Sequence, residues 1–236
     1  MQTESERLIQ KPAVARTSDA ERAQEAAILA QLKPGAVMMM GDNPGFAPFP
    51  KTPKLLDFYR LRFGTLTQRH LLQSAKLALE AGQSETVVTA CLLHDIAVGG
   101  LMGADHGYWG AQLIAPYVSE EVAWAVRAHQ ALRYYPDETV GYRYPDAYRR
   151  YFGPDYQPPD YIRKAYEAAR AHRWYMTARL ITVHDVYAFE EGPSIDPEIF
   201  TDIIGRNVKE PEAGFGFDDT PVTHMWRTMI WPNNFL

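Results

Sequence analysis

Between residues 67 and 132 the apolar side chains recur three and four positions apart in successive segments, and those segments are separated by helix-stopping or helix-starting residues. Leu71, Leu72, Ala75, Ala78 and Leu79 mark a helix over 67–81 that Gly82 closes. Ser84 starts another, with Val87, Val88, Cys91 and Leu92 on its apolar face, running through His94-Asp95 to Gly99-Gly100. Ala104 or Asp105 opens a third that continues to residue 117. Ser119 caps a fourth, in which Val122, Val126 and His129 share one face. A chain patterned in this way folds by packing helices on one another, and no segment alternates as a strand does. The predicted class is all-α.

The rest of the chain extends that pattern. Ser18 and Glu21 have capping-box spacing ahead of a helix over 20–32. Residues 33–53 hold five prolines and three glycines and read as a wrapping loop. Thr52-Pro53 reads as N-cap and first position of a helix ending near Gly64. The expected organisation is therefore an N-terminal helix and loop over 1–52 and a helical domain over 53–236 with a C-terminal helical extension. Residues 133–159 break the periodicity. Eight tyrosines stand between Tyr134 and Tyr161, and the segment reads as a lid or a packed surface loop. Helical pattern resumes over 160–190, followed by two short helices over 197–208 and 220–230.

Composition narrows the function. With 24 Lys plus Arg against 29 Asp plus Glu, a net charge of −5 and no basic run, a phosphate-backbone partner is disfavoured, so no nucleic acid is expected. The single cysteine, Cys91, lies in an apolar stretch, which rules out disulfide frameworks and thiolate zinc sites and points to a reducing, cytoplasmic setting. No stretch approaches the roughly 18 apolar residues of a spanning helix, so no membrane is expected. A chain of 236 residues buries enough surface to fold without a structural metal, which makes any metal site functional.

The chemistry lies in His70, His94-Asp95, His106, His129 and Asp185. Imidazole and carboxylate suit iron, zinc and manganese, and a shared carboxylate lets two ions stand about 3.5–4 Å apart. His70 shares a face with Ser74 and Leu77, His94 with Val87 and Cys91, and Asp185 with Ala178, Ile181 and Ala188. These neighbours turn the polar groups inward. Any one histidine alone reads as a core residue bonded to a carbonyl, and a second His-Asp pair, His184-Asp185, shows how little the dipeptide says by itself. Adjacent buried ionisable groups at the end of an apolar helix are costly unless paired or metal-bound.

In order and type these residues resemble the HD superfamily of helical metalloproteins, over roughly residues 53–190. The resemblance implies that His70, His94, Asp95 and Asp185 hold one metal, and that His106 and His129 hold a second with Asp95 bridging. The segments 67–70, 92–95, 106–111 and 129–135 are most similar to the branch of phosphonate-cleaving di-iron oxygenases and inositol oxygenase. That branch implies two irons, Fe(II)/Fe(III), and dioxygen used to break a C–H bond of a small polar or anionic substrate. Arg133, one turn beyond His129, stands where the phosphonate enzymes use a cation and is expected to hold an anionic group, with Asp95 as the central catalytic ligand. Hydrolases of the superfamily usually place a lysine or glutamate shortly after the His-Asp pair, where this chain has Ile96, Ala97, Val98, Gly99 and Gly100. The competing expectation is a phosphohydrolase using manganese, zinc or nickel, and a third is a regulatory binding module.

Departures from the phosphonate enzymes stand at Phe63, Gly64 and Thr65, where those carry a tyrosine and a glutamate. The lesser candidates are Tyr134, Tyr135, Tyr142, Tyr144, Arg143 and Arg149 as cover for the metal mouth, and His184 as a support for Asp185. His172 and His224 read as structural, and Asp218-Asp219 as a solvated turn.

Overall fold

A computed structural model describes Ala23 and residues 47–98, 105–153, 155–185 and 194–231. The predicted helix over 20–32, apart from Ala23, and residues 33–46 of the predicted loop over 33–53 lie outside the described residues. So do Gly99 and Gly100, Ala188 and most of the stretch after Asp185. Residues 45–232 form one compact unit. Its α-helices are α1 (Leu55–Leu61), α2 (Thr65–Glu80), α3 (Glu85–Leu93), α4 (His106–Ile114), α5 (Glu120–Leu132), α6 (Asp146–Phe152), α7 (Asp160–Arg170), α8 (Tyr175–Asp185), α9 (Thr201–Asn207) and α10 (Thr223–Ile230). Among the described residues there is no strand, only a single bridge between Asp137 and Tyr142. The all-α expectation holds.

The helix α3 explains the layout. Every residue from Val87 to Leu93 is buried, and a helix apolar all round must be covered on all sides. Helices α2, α5, α8 and α9 cover it, while α8 also packs on α2 and α5, and α4 packs on α5. Helix α7 is strongly amphipathic, buries Ile162 and Ala169 and lies on α5. Among the described helices none is long and apolar enough to cross a membrane.

The caps read from sequence act as expected. Ser84 Oγ accepts the Val87 N–H at 3.4 Å and Ser119 Oγ the Val122 N–H at 3.3 Å. Gly82, at φ +68°, lets α2 end with Gln83 N–H on Ala78 O and Gly82 N–H on Leu79 O, both at 3.0 Å.

Other boundaries move. The first helix starts at Leu55, after Thr52-Pro53, because the Pro53 carbonyl accepts the Phe215 N–H at 3.0 Å and Glu210 Oε1 accepts the Leu55 N–H at 2.8 Å. Helix α3 stops before His94 instead of running to Gly99-Gly100, and α4 stops at Ile114 because Pro116 cannot continue it. The pattern over 160–190 is two helices, with Ala169 O and His172 O accepting from His172 N–H and Tyr175 N–H in the turn between them. The irregular segment after Arg133 contains a short 3₁₀ turn, Glu138–Val140, and α6.

The C-terminal extension is part of the core. Trp226 Nε1 donates to Leu113 O at 3.1 Å, and the ring lies 4.4 Å from Phe215 and 4.8 Å from Phe58. Asp218 corrects the reading of a solvated turn: it accepts from Tyr117 Oη at 2.9 Å and Thr223 Oγ1 at 3.1 Å, while Asp219 is exposed. Cys91 is fully buried, and burial pushes its thiol up to about 12, which leaves it unreactive.

Candidate metal centre

Four helices and one helix end bring the six predicted residues to one place. His70 projects from the buried face of α2, His94 and Asp95 follow the last turn of α3, His106 opens α4, His129 lies in the last turn of α5, and Asp185 ends α8. All six are buried, the most exposed being Asp95 at 7%.

Their donor atoms form two groups sharing one carboxylate. His70, His94, Asp95 and Asp185 make a four-residue group and Asp95, His106 and His129 a three-residue group, with all donor atoms in each group within 4.8 Å of one another. Asp95 divides its oxygens between them. Its Oδ2 is 3.3 Å from His70 Nε2 and 3.7 Å from His94 Nε2, while its Oδ1 is 2.9 Å from His106 Nε2 and 3.6 Å from His129 Nε2. Asp185 Oδ1 closes the first group at 3.0 Å from His70 Nε2.

The backbone sets two of the rings. His94 Nδ1 lies 2.8 Å from Cys91 O and His129 Nδ1 2.6 Å from Val126 O. A carbonyl only accepts, so each Nδ1 carries the proton and each ring turns its Nε2 toward the cluster. This is how metal-binding imidazoles are oriented. In the second group Nε2 of His129 lies 3.3 Å from Nε2 of His106.

The donor set fits divalent metal. Asp95 Oδ1 and both Asp185 oxygens are buried without an aligned hydrogen bond, although imidazole and guanidinium nitrogens stand about 3 Å away. Buried acceptors left in this state are expensive unless a cation sits among them. Protons play that part in the metal-free chain. Burial alone would lower the His70 pKa, but the Asp185 and Asp95 carboxylates outweigh it and raise it to about 9. Burial pushes His129 down to about 4 against the pull of Asp95, so its ring is neutral and ready to bind. Both carboxylates are held well below the usual range: burial opposes this, but the imidazoles outweigh it for Asp95, and Arg133 with His70 and His94 for Asp185.

Arg133 also reaches the cluster. Its Nε is 3.0 Å from Asp185 Oδ2 and its Nη1 is 3.5 Å from His106 Nε2. The other cover candidates are placed differently. Tyr142 is buried, lies beside the guanidinium of Arg179 and donates from its hydroxyl to Arg133 O at 2.8 Å. Tyr135 stacks on Tyr166, Tyr134 sits near Phe152 and Tyr156, Tyr144 lies near Arg149, and Arg143 and Arg149 are exposed. His184 is buried beside Asp185 in sequence, but its Nε2 has no hydrogen bond and successive helical residues point about 100° apart. His172 stacks on Trp124 at 3.9 Å, and His224 is exposed.

Sequence reasoning missed Gly107. A Cβ there would stand 3.0 Å from Val126 O and 3.2 Å from His129 Cε1, so its absence lets α4 approach α5 and sets His106 beside His129. The one signal was a glycine directly after a candidate ligand. Gly107→Ala is expected to cost about 1–3 kcal/mol through overpacking and to weaken metal binding by the three-residue group about tenfold. The four-residue group keeps its affinity. Stepwise manganese binding, followed with thermal unfolding, checks both effects.

Residues 67–173 match the family model described as HD domain. The matched stretch takes in His70, His94, Asp95, His106 and His129 and stops short of Asp185. No curated protein matches the chain. The match and the buried cluster together support a metal-dependent enzyme of the HD type.

Proposed function

We propose that this HD-domain chain is a dinuclear di-iron oxygenase that oxidises a small polar or anionic molecule with dioxygen. The observation that carries the choice is the residue set after His94-Asp95. Ile96 is buried, and Ala97 and Val98 offer no proton, so the position from which a leaving group would be protonated holds no acid. Oxidation of a C–H bond asks for none there.

A bound Fe(II)/Fe(III) pair supplies one-electron chemistry and a place for dioxygen. The chain supplies the rest. The four-residue group would hold one iron by four donors and the three-residue group the other by three, which would leave more of the second ion open to an outside ligand. Asp95 ties the two positions at a fixed spacing. Arg133 offers a planar fork to an anionic substrate group and orients the molecule against the cluster. Burial of all six residues keeps bulk water from the reacting centre.

A metal-dependent phosphohydrolase is the second reading, favoured by the HD match itself. One experiment separates the two. Protein prepared without air, partly reduced and never exposed to chelator is assayed for metal content and by low-temperature EPR, then screened for oxygen uptake with hydroxylated, aminated or phosphonylated small acids. Two irons per chain, a mixed-valent signal and substrate-dependent oxygen consumption are expected. Anaerobic turnover of phosphate esters with manganese or nickel, without that signal, overturns the oxygenase reading.

A further inference from the structure

The two groups are unequal, and Arg133 is what separates them most. The four-residue group brings two carboxylates and two imidazoles to one position. The three-residue group has one shared carboxylate, and a permanent cation stands beside it. Arg133 Nη1 stands 3.5 Å from the Nε2 of His106, the atom a metal in this group would need, so a permanent positive charge sits beside the second position. The same guanidinium holds Asp185 Oδ2 through Nε at 3.0 Å, with the side chain 16% exposed. It therefore reaches both groups.

Charge then decides the order of filling. Asp95 and Asp185 carry −2 and Arg133 +1. One dication in the four-residue group takes the cluster to +1, and a second must enter against that charge beside the guanidinium. An anion that draws Arg133 outward removes the competing positive charge from beside His106 and adds negative charge in one step.

We propose that Arg133 is a resident cation guarding the three-residue position, so that the second metal and an anionic substrate bind cooperatively. This rests on the dinuclear reading of the site. Because linkage is reciprocal, the anion tightens the second metal and the second metal tightens the anion by the same factor.

Stepwise manganese(II) binding, counted by EPR of free and bound ion, tests this with inorganic phosphate as the anion probe. In the wild-type chain phosphate is expected to tighten the second manganese about tenfold or more and to leave the first little changed. Arg133→Met should bind the second manganese without phosphate about as tightly as wild type binds it with phosphate, and phosphate should add little. Arg133→Lys should restore part of the phosphate dependence. Far-UV circular dichroism and a melting temperature near the wild-type values show that the variants fold. Equal tightening by phosphate in wild type and Arg133→Met means that phosphate acts on the metals directly and overturns the inference. So does a wild-type chain that takes two manganese ions with equal affinity in the absence of phosphate, although the dinuclear reading then stands. A wild-type chain that binds one ion or none overturns the dinuclear reading, and the inference with it.

Discussion

Asp95→Ala is expected to empty both metal positions, with affinity falling more than about 100-fold at each, beyond the 10–100-fold typical of losing a supporting residue behind a ligand. The reason is the division of its oxygens. Oδ2 faces His70 and His94 at 3.3 and 3.7 Å, and Oδ1 faces His106 and His129 at 2.9 and 3.6 Å. Removing one carboxylate thus leaves two imidazoles and Asp185 on one side and only two imidazoles on the other. Two control variants make the result specific. Asp185→Ala should lose the four-residue position and spare His106 and His129, while His129→Ala should do the reverse. Metal content after gel filtration, read beside circular dichroism, checks all three. Two metals retained by a folded Asp95→Ala chain would sink its assignment as the shared ligand.

What the sequence disclosed about this site followed from periodicity and order. Val122, Val126 and His129 at helical spacing are all buried on α5, and Ser84 and Ser119 start their helices where a side-chain oxygen was needed. Local chemistry writes such features into neighbouring residues. The misplaced boundaries have distant causes: α1 begins late because Phe215 and Glu210 occupy the backbone of Pro53 and Leu55. No window of residues around position 53 contains that information. The same holds for Arg133, which was readable as one turn beyond His129, whereas its pairing with Asp185 joins positions 52 apart in sequence and needed α8 folded across α5. Arg179 gave almost no warning. An arginine in helical surroundings normally reads as solvated, and only its place between Ala178 and Ile181, both fully buried, hinted otherwise.

That arginine carries the second large expected effect. Arg179→Met should destabilise the protein by about 3 kcal/mol, which for a domain of this size lowers the melting temperature by about 6–12 °C. The side chain is fully buried. Its Nη1 donates to Leu132 O at 3.1 Å and Thr182 Oγ1 at 3.3 Å, its Nε donates to Tyr175 Oη at 3.1 Å, and Asp137 Oδ2 lies 3.7 Å away. Leu132 ends α5, and its carbonyl, which has no partner within the helix, accepts the Tyr135 N–H at 3.2 Å and the guanidinium beside it. Methionine fills similar volume and supplies no donor, so the Leu132 carbonyl keeps only the Tyr135 N–H, Tyr175 Oη and Thr182 Oγ1 lose a donor, and Asp137 loses its nearby cation. Lysine restores the charge without the planar fork and should recover only part of the loss. Tyr142, whose ring lies 4.8 Å from the guanidinium, also donates to Arg133 O, so the loosened segment is the one that leads directly to the residue facing the metals. The residues of the candidate metal centre sit on other contacts, and metal content should remain at the wild-type level. A melting temperature within about 2 °C of wild type would show that this buried cation is replaceable by packing alone, as some buried ion pairs are.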